Sequence, residues 1–247
     1  MNIETYLKNK ERFNSSLPKY KTRCRNCWQP VDTCVCSIAK AFDPNITFVI
    51  LTHPVEASKR IATGRLAYTC IKNSVFIRGY SFLYNTTVDK LIHDEGNQCF
   101  VLYPGRQSHD LSTTSLSKKK KDFSINKKTV VFVIDGTWGN ANKMLRLSPN
   151  LATLPKICFT PKKQSNFRVR QQPKSFCLST LEAIHEIIEL LGETREFNLN
   201  SKKHDSLLKV FNYIVEDQLK KIEKYKENND GKLNPRSSLI KKRKRFK

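Results

Sequence analysis

The sequence predicts an α/β protein on a mainly parallel sheet, and three observations carry that prediction. Apolar runs of strand length alternate with stretches of helical spacing from Ile46 to Leu191. One of these runs, V-V-F-V-I-D-G-T-W from Val130 to Trp138, starts as an unbroken apolar stretch rich in β-branched residues, the pattern of a strand covered on both faces. Four of the eight cysteines are bunched ahead of the alternating region, as a small metal-binding module would be.

Taken in order, residues 1–22 form a polar, basic arm in which Pro18 breaks any helix. Residues 23–40 follow as a module reading R-C-R-N-C-W-Q-P-V-D-T-C-V-C-S-I-A-K. Two residues separate Cys24 from Cys27, one separates Cys34 from Cys36, and six lie between the pairs. Two close thiolate pairs supply the four sulfurs of a tetrahedral Zn²⁺ site, with an iron–sulfur cluster as the alternative metal centre. With all four positions filled by protein, such a zinc is structural. Arg23, Arg25 and Trp28 around it suit either nucleic-acid contact or a solvated face.

The main domain is expected over residues 41–200. It begins with a strand at Ile46–Leu51, a helix near Thr63–Lys72, a strand at Val75–Ile77, a helix around Val88–His93 and a strand at Cys99–Tyr103. A polar stretch ending in Lys118–Lys121 reads as a mobile surface loop. The Val130 strand, a helix from Trp138 towards Leu147, a short strand at Ile157–Thr160, a basic loop and a helix at Thr180–Leu191 complete it. Residues 201–226 hold Leu207, Leu208, Phe211, Ile214, Val215, Leu219 and Ile222 at amphipathic helical spacing, so this C-terminal helix should dock one face on the domain. Residues 227–247 read as a basic, disordered tail ending in K-K-R-K-R-F-K.

The 247 residues suit one α/β domain with appendages. Lys and Arg number 45 against 22 Asp and Glu, and the resulting +23 charge implies an anionic partner. Nucleic acid leads over an anionic membrane, since no apolar run has transmembrane length and the N-terminus lacks the apolar core of a signal peptide. A cytoplasmic protein is expected, nuclear if the cell has a nucleus. Cys70, Cys99, Cys158 and Cys177 lie in apolar patterns and read as small buried hydrophobes.

Candidate chemistry collects at strand ends. Asp135 closes the Val130 strand, and ligands of open α/β sheets bind outside the carboxyl ends of the strands. Gly136 permits a turn, Thr137 can cap the next helix, and Trp138 offers a flat surface. Asp-Gly is also an ordinary turn and Trp an ordinary core residue, so both readings stand at this point. After the first strand come His53, Glu56, Thr63, Gly64 and Arg65. After the third come Leu102, Tyr103, Pro104, Gly105 and Arg106. Leu178, Ser179 and Thr180 open a helix, with Glu182 in its first turn, where capping alone explains the residue types. Phe167, Arg168 and Arg170 combine bases with an aromatic, as phosphate contact and base stacking need, and an arginine fork also suits a ligand carboxylate. No glycine-rich phosphate loop of recognised spacing occurs, which counts against nucleoside-triphosphate and standard dinucleotide enzymes.

The order of these motifs resembles the DTW-domain family. The resemblance runs over about residues 22–193. It rests on the four cysteines, H-P-V-E with T-G-R-L-A, L-Y-P-G, D-G-T-W with Lys143-Met144, F-R-V-R, and L-S-T-L-E-A. Ala62 departs from it, standing where the family prefers Asn. The resemblance implies a fold related to SPOUT-type RNA-modifying enzymes, with a cofactor site of knotted loops. It also implies transfer of the 3-amino-3-carboxypropyl group of S-adenosylmethionine to N3 of a tRNA uridine, with 5′-methylthioadenosine released. Uridine N3 is a weak acid and needs a positioned base. Asp135 is the expected base, with His53 and Glu56 in reserve. Leu102–Gly105 and Leu178–Thr180, with Thr137 and Trp138, are expected to hold the adenosine end, and Arg170 or Arg65 to pair with the carboxylate. The expected partners are tRNA and no membrane, and the expected state is a monomer. The rival functions are an RNA methyltransferase using the same loops and a non-catalytic, zinc-bearing RNA-binding protein.

Overall fold

The longest apolar run takes the middle of the sheet. In a computed structural model, which describes residues 3–8, 22–170 and 177–232, β5 (Lys128–Asp135) lies between β1 (Ile46–Thr52) and β3 (Asn97–Leu102). With β2 (Val75–Arg78), β4 (His109–Asp110) and β6 (Lys156–Cys158), the order is β2-β1-β5-β3-β6-β4. All five pairings are parallel. From β1 the chain steps outwards to β2, whereas β3 and its later neighbours build the other side, with β5 inserted between. Loops leaving β1 and β3 therefore diverge around the end of β5, where a crevice opens. The register sets Thr52 opposite Asp135 and Leu102 opposite Val133, so these ends lie close together.

Side chains alternate across a strand, and here both faces are covered. Phe48, Ile50, Val131 and Val133 belong to one core with residues of α3 (Thr63–Cys70), α8 (Thr180–Leu191) and α9 (Asp205–Glu227). Val49, Leu51, Val130 and Phe132 belong to the other, under α4 (Thr86–His93), α6 (Trp138–Arg146) and α7 (Pro149–Ala152). Caps begin several helices as the residue types predict. Thr137 accepts from the Asn140 amide at the start of α6, and Ser179 and Glu182 form a reciprocal capping box at α8. α9 buries Leu207, Val210, Phe211, Ile214 and Val215. Residues 3–8 form a short exposed helix, α1, and Pro54–Ala57 forms α2.

The cysteine segment lies on the α3–α8–α9 side, where Cys27 and Val35 join the same core. The Lys40 amide donates to Ser206 Oγ at 3.0 Å, tying the segment to the start of α9.

The lysine run departs from expectation. The polar stretch ending in Lys118–Lys121, read as a mobile loop, contains β4 and leads through a helix, α5 (Leu116–Asp122), begun by a Ser115 cap. Leu111 and Phe123 anchor its flanks in the core. Lys119 is buried, and its Nζ donates to the Leu190 carbonyl at 3.2 Å, at the C-terminal end of α8 where a cation is favoured. The terminal K-K-R-K-R-F-K and its expected disorder lie outside the described residues. Among the described residues, no helix is long and apolar enough to cross a membrane.

Candidate active site

Asp135 ends β5 and is 4% exposed. Its Oδ1 accepts from Thr180 Oγ1 at 2.6 Å and its Oδ2 from Thr52 Oγ1 at 3.1 Å. The carboxylate thus joins β1, β5 and the first residue of α8. It also lies against the first turn of α3, where a Cβ on Gly64 would come within 2.5 Å of Oδ2. Burial pushes the Asp135 carboxyl above its ordinary pKa, and the charge of Glu56 adds to that, while the Thr180 and Thr52 hydroxyls and Arg170 oppose it. The result is a carboxylate with a raised proton affinity at the floor of a crevice.

Glu56 is also buried but is held differently. It lies in α2, just after the His53 cap, and accepts from Lys59 Nζ at 2.6 Å and Arg170 Nη1 at 3.3 Å. Arg170 comes from the basic loop after β6 and closes over the crevice from the far side. His53 caps α2, its Nδ1 accepting from the Val55 amide at 3.3 Å, and its ring stacks edge-on with Tyr80 at 4.8 Å. That nitrogen is therefore engaged by the backbone.

Between these groups lies a cavity of ≈ 660 Å³ at the carboxyl ends of β5, β3 and β6. This is the size of a small-molecule site. Of the expected residues, Asp135, Glu56, Leu102, Tyr103, Pro104, Thr137, Trp138, Leu178, Ser179, Thr180 and Arg170 all line it. Tyr103 and Trp138 stand edge to face, 6.1 Å apart, with Trp138 48% exposed. Glu182 braces the opposite wall, accepting from Ser165 Oγ at 2.7 Å and from the Asn166 and Ser179 amides at 2.8 Å each. That grip holds the chain leading to Phe167 and Arg170 beside the mouth of α8.

Three expected residues lie elsewhere. His53 and Gly105 are not part of the lining. Arg65 also stays outside, although its neighbour Thr63 contributes. Its guanidinium lies over the Trp28 ring at 4.8 Å and over the Phe76 ring at 4.7 Å, and among the described residues Arg170 is the arginine that lines the cavity. Burial lowers the Arg65 pKa, and Arg78 and Arg23 lower it further. Conversely, Cys158, Phe159, Pro161, Phe167 and Cys177 line the cavity without having been singled out for it. Position at the end of β6 was the available signal for the first two.

The four cysteines converge as their spacing predicts. All four Sγ atoms lie within 4.8 Å of one another, with Cys24 to Cys36 at 3.6 Å and Cys27 to Cys34 at 3.7 Å. A tetrahedron with metal–sulfur bonds of about 2.3 Å has edges of about 3.8 Å, so the donor set fits Zn²⁺. Backbone N–H groups of Cys27 and Asn26 pull the Cys24 thiol down to about 6, whereas burial and the neighbouring sulfurs push Cys36 up to about 12. Sulfurs this close resist joint ionisation until a cation is supplied.

Comparison with known proteins places the chain in a family. The family model of the DTW domain matches residues 21–219. The chain is similar to tRNA-uridine aminocarboxypropyltransferase 2 of Drosophila melanogaster, 29% identical over 185 residues, covering 72% of this chain and 70% of that protein. The proteins of the same name in Macaca fascicularis and Mus musculus are 25% and 27% identical, over 81% and 69% of this chain. The aligned stretch spans 65% of the macaque protein and 57% of the mouse protein, less than two thirds of either. No solved structure matches the chain.

Proposed function

The chain belongs to the DTW domain family, and from that premise we propose that it is a tRNA-uridine aminocarboxypropyltransferase. S-adenosylmethionine is its second substrate. The observation that carries the proposal is the pairing, in one cavity, of a buried carboxylate of raised proton affinity with a separate Glu56–Arg170 ion pair. The amino-acid end of S-adenosylmethionine bears an ammonium and a carboxylate. Glu56 matches the first and Arg170 the second, in an exchange of one ion pair for two. Tyr103 and Trp138 offer the aromatic edge for the adenine, and the backbone of Leu102–Pro104 and Leu178–Ser179 the polar contacts around it.

Held by both ends, the sulfonium presents its γ-carbon to the nucleophile, a choice made by orientation. Asp135 takes the proton from uridine N3. N3 then bonds to the γ-carbon as the carbon–sulfur bond breaks, and sulfur keeps the electron pair, leaving neutral 5′-methylthioadenosine. The product is 3-(3-amino-3-carboxypropyl)uridine. The cysteine cluster holds a structural Zn²⁺, since its four donors leave no open position. The +23 charge suits tRNA, whose phosphates reward dispersed basic residues by counterion release. Kinship with SPOUT-type enzymes forms part of this proposal, supported by an all-parallel sheet whose ligand loops gather at the carboxyl ends.

Incubation with unmodified tRNA and S-adenosylmethionine, followed by nucleoside mass analysis, tests the reading. A gain of about 101 mass units on uridine is expected, whereas about 14 would identify a methyltransferase built on the same cavity. No gain on any nucleoside would leave an RNA-binding protein without this catalysis.

A further inference from the structure

A second group of potential ligands lies away from the cavity, where α8 meets the start of α9. His185 and Glu189 are four residues apart on α8, the spacing that stacks two side chains on one helix face. His204 and Asp205 open α9 and face them. One donor atom from each of the four lies within 4.8 Å of the others. His204 Nε2 is 2.6 Å from Glu189 Oε1 and 3.7 Å from Asp205 Oδ1, and His185 Nε2 is 3.1 Å from the same Asp205 oxygen. The two imidazole rings are 4.9 Å apart.

One buried ring nitrogen next to this cluster lacks a hydrogen-bond partner among the described residues. His204 is fully buried, and this nitrogen is its Nδ1, across the ring from the Nε2 that meets Glu189. Burial lowers the His185 pKa, against the pull of Asp205. Burial works to raise Glu189, but the His204 hydrogen bond and nearby cations hold it below its ordinary value. Two imidazoles and two carboxylates brought together from α8 and the start of α9 are donor types that a divalent transition-metal cation takes. Across the cluster, Lys202 Nζ reaches Glu189 Oε1 at 3.5 Å, but this lysine is 59% exposed and free to swing into solvent.

We propose that His185, Glu189, His204 and Asp205 form a second metal site, for Zn²⁺ or a similar borderline divalent cation. Two nitrogens and two oxygens suit that class, whereas Mg²⁺ and Ca²⁺ favour oxygen alone. The site clasps α9 to α8, the helix whose first residue donates to Asp135. It stands apart from the cysteine cluster and does not depend on the reaction proposed above.

Metal content after equilibrium dialysis of the full chain against Zn²⁺ decides the matter. Two zinc ions per chain are expected, falling to one in the near-isosteric double variant Glu189→Gln, Asp205→Asn, which leaves buried His204 in place. Circular dichroism checks that the variant is folded. Added Zn²⁺ should raise the melting temperature of the parent by a few degrees and that of the variant by less, because binding only the folded state stabilises it. One zinc per chain in both proteins, with equal melting responses, would overturn the second site. His185→Gln, which removes a partly buried ligand while leaving every residue of α9 unchanged, gives an independent reading of the same stoichiometry.

Discussion

Asp135 and Glu56 are two buried carboxylates in one cavity, and they are held by opposite means. Glu56 lies within hydrogen-bond reach of two cations, Lys59 and Arg170, at 2.6 and 3.3 Å. Asp135 meets two neutral hydroxyls, and burial raises its proton affinity. A cation partner fixes a negative charge, which suits binding and opposes proton uptake. Hydroxyl partners in a dry site leave protonation open, which suits a base. In the proposed reaction this difference in environment would divide two similar side chains between grip and proton transfer.

Asp135→Asn probes the division where its effect is greatest. Transfer should slow by roughly 10²- to 10⁴-fold, the usual contribution of a positioned base, with S-adenosylmethionine affinity changed only a few-fold. Single-turnover kinetics and calorimetry separate these two quantities. Loss of both together would make Asp135 a brace for Thr52 and Thr180 and not a base. Stability moves the other way. A carboxyl whose folded pKa is raised favours folding below its unfolded pKa, and this contribution is lost as pH rises through the folded pKa. Asn cannot ionise, so the variant should be the more stable protein at neutral pH and lose that advantage in acid. Urea unfolding at the two pH values reads the sign.

Glu56→Gln should act on binding. Removing the charge leaves Arg170 without its partner and takes away the proposed ammonium contact. S-adenosylmethionine affinity should fall about tenfold to a hundredfold, or about 1.4 to 2.8 kcal/mol, with kcat at saturation far less affected. If kcat instead fell as far as in Asp135→Asn, the two carboxylates would share the proton transfer and the contrast between them would collapse.

Local patterns made half of this arrangement readable in the sequence. The β5 run, the thiol spacing and the caps at Thr137 and Ser179 are properties of a few adjacent residues, and each forms as read. The hydroxyl partners of Asp135 were not readable. Thr52 reaches it through the β1–β5 register and Thr180 through the packing of α8, both long-range consequences of the fold. Lys119 looked like one charge in a solvated run because its acceptor, the Leu190 carbonyl, is far along the chain. Cys158 was passed over as a buried hydrophobe, although the strand-end rule that selected Asp135 applies equally to it.

Arg65 shows how neighbouring residues of one loop can face different ways, and it gives the smallest and most selective test. Thr63 and Arg65 are both in the first turn of α3, but two residues along a helix is about 200° around it. With Thr63 facing the cavity, Arg65 is turned towards Trp28 and Phe76. Trp28 lies between Cys27 and Cys34, so Arg65 links the cysteine segment to β2. A guanidinium over aromatic rings contributes about 0.5 to 2 kcal/mol according to its desolvation. Arg65→Ala should therefore lower the melting temperature and loosen zinc retention under a chelator, leaving the KM for S-adenosylmethionine unchanged. Arg65→Lys should recover only part of the loss, since an ammonium lacks the planar stacking surface. Arg170→Ala is the counterpart, expected to raise that KM. A KM that rose equally in both variants would return Arg65 to the cavity and leave Glu56 gripping only one of two carboxylate-binding arginines.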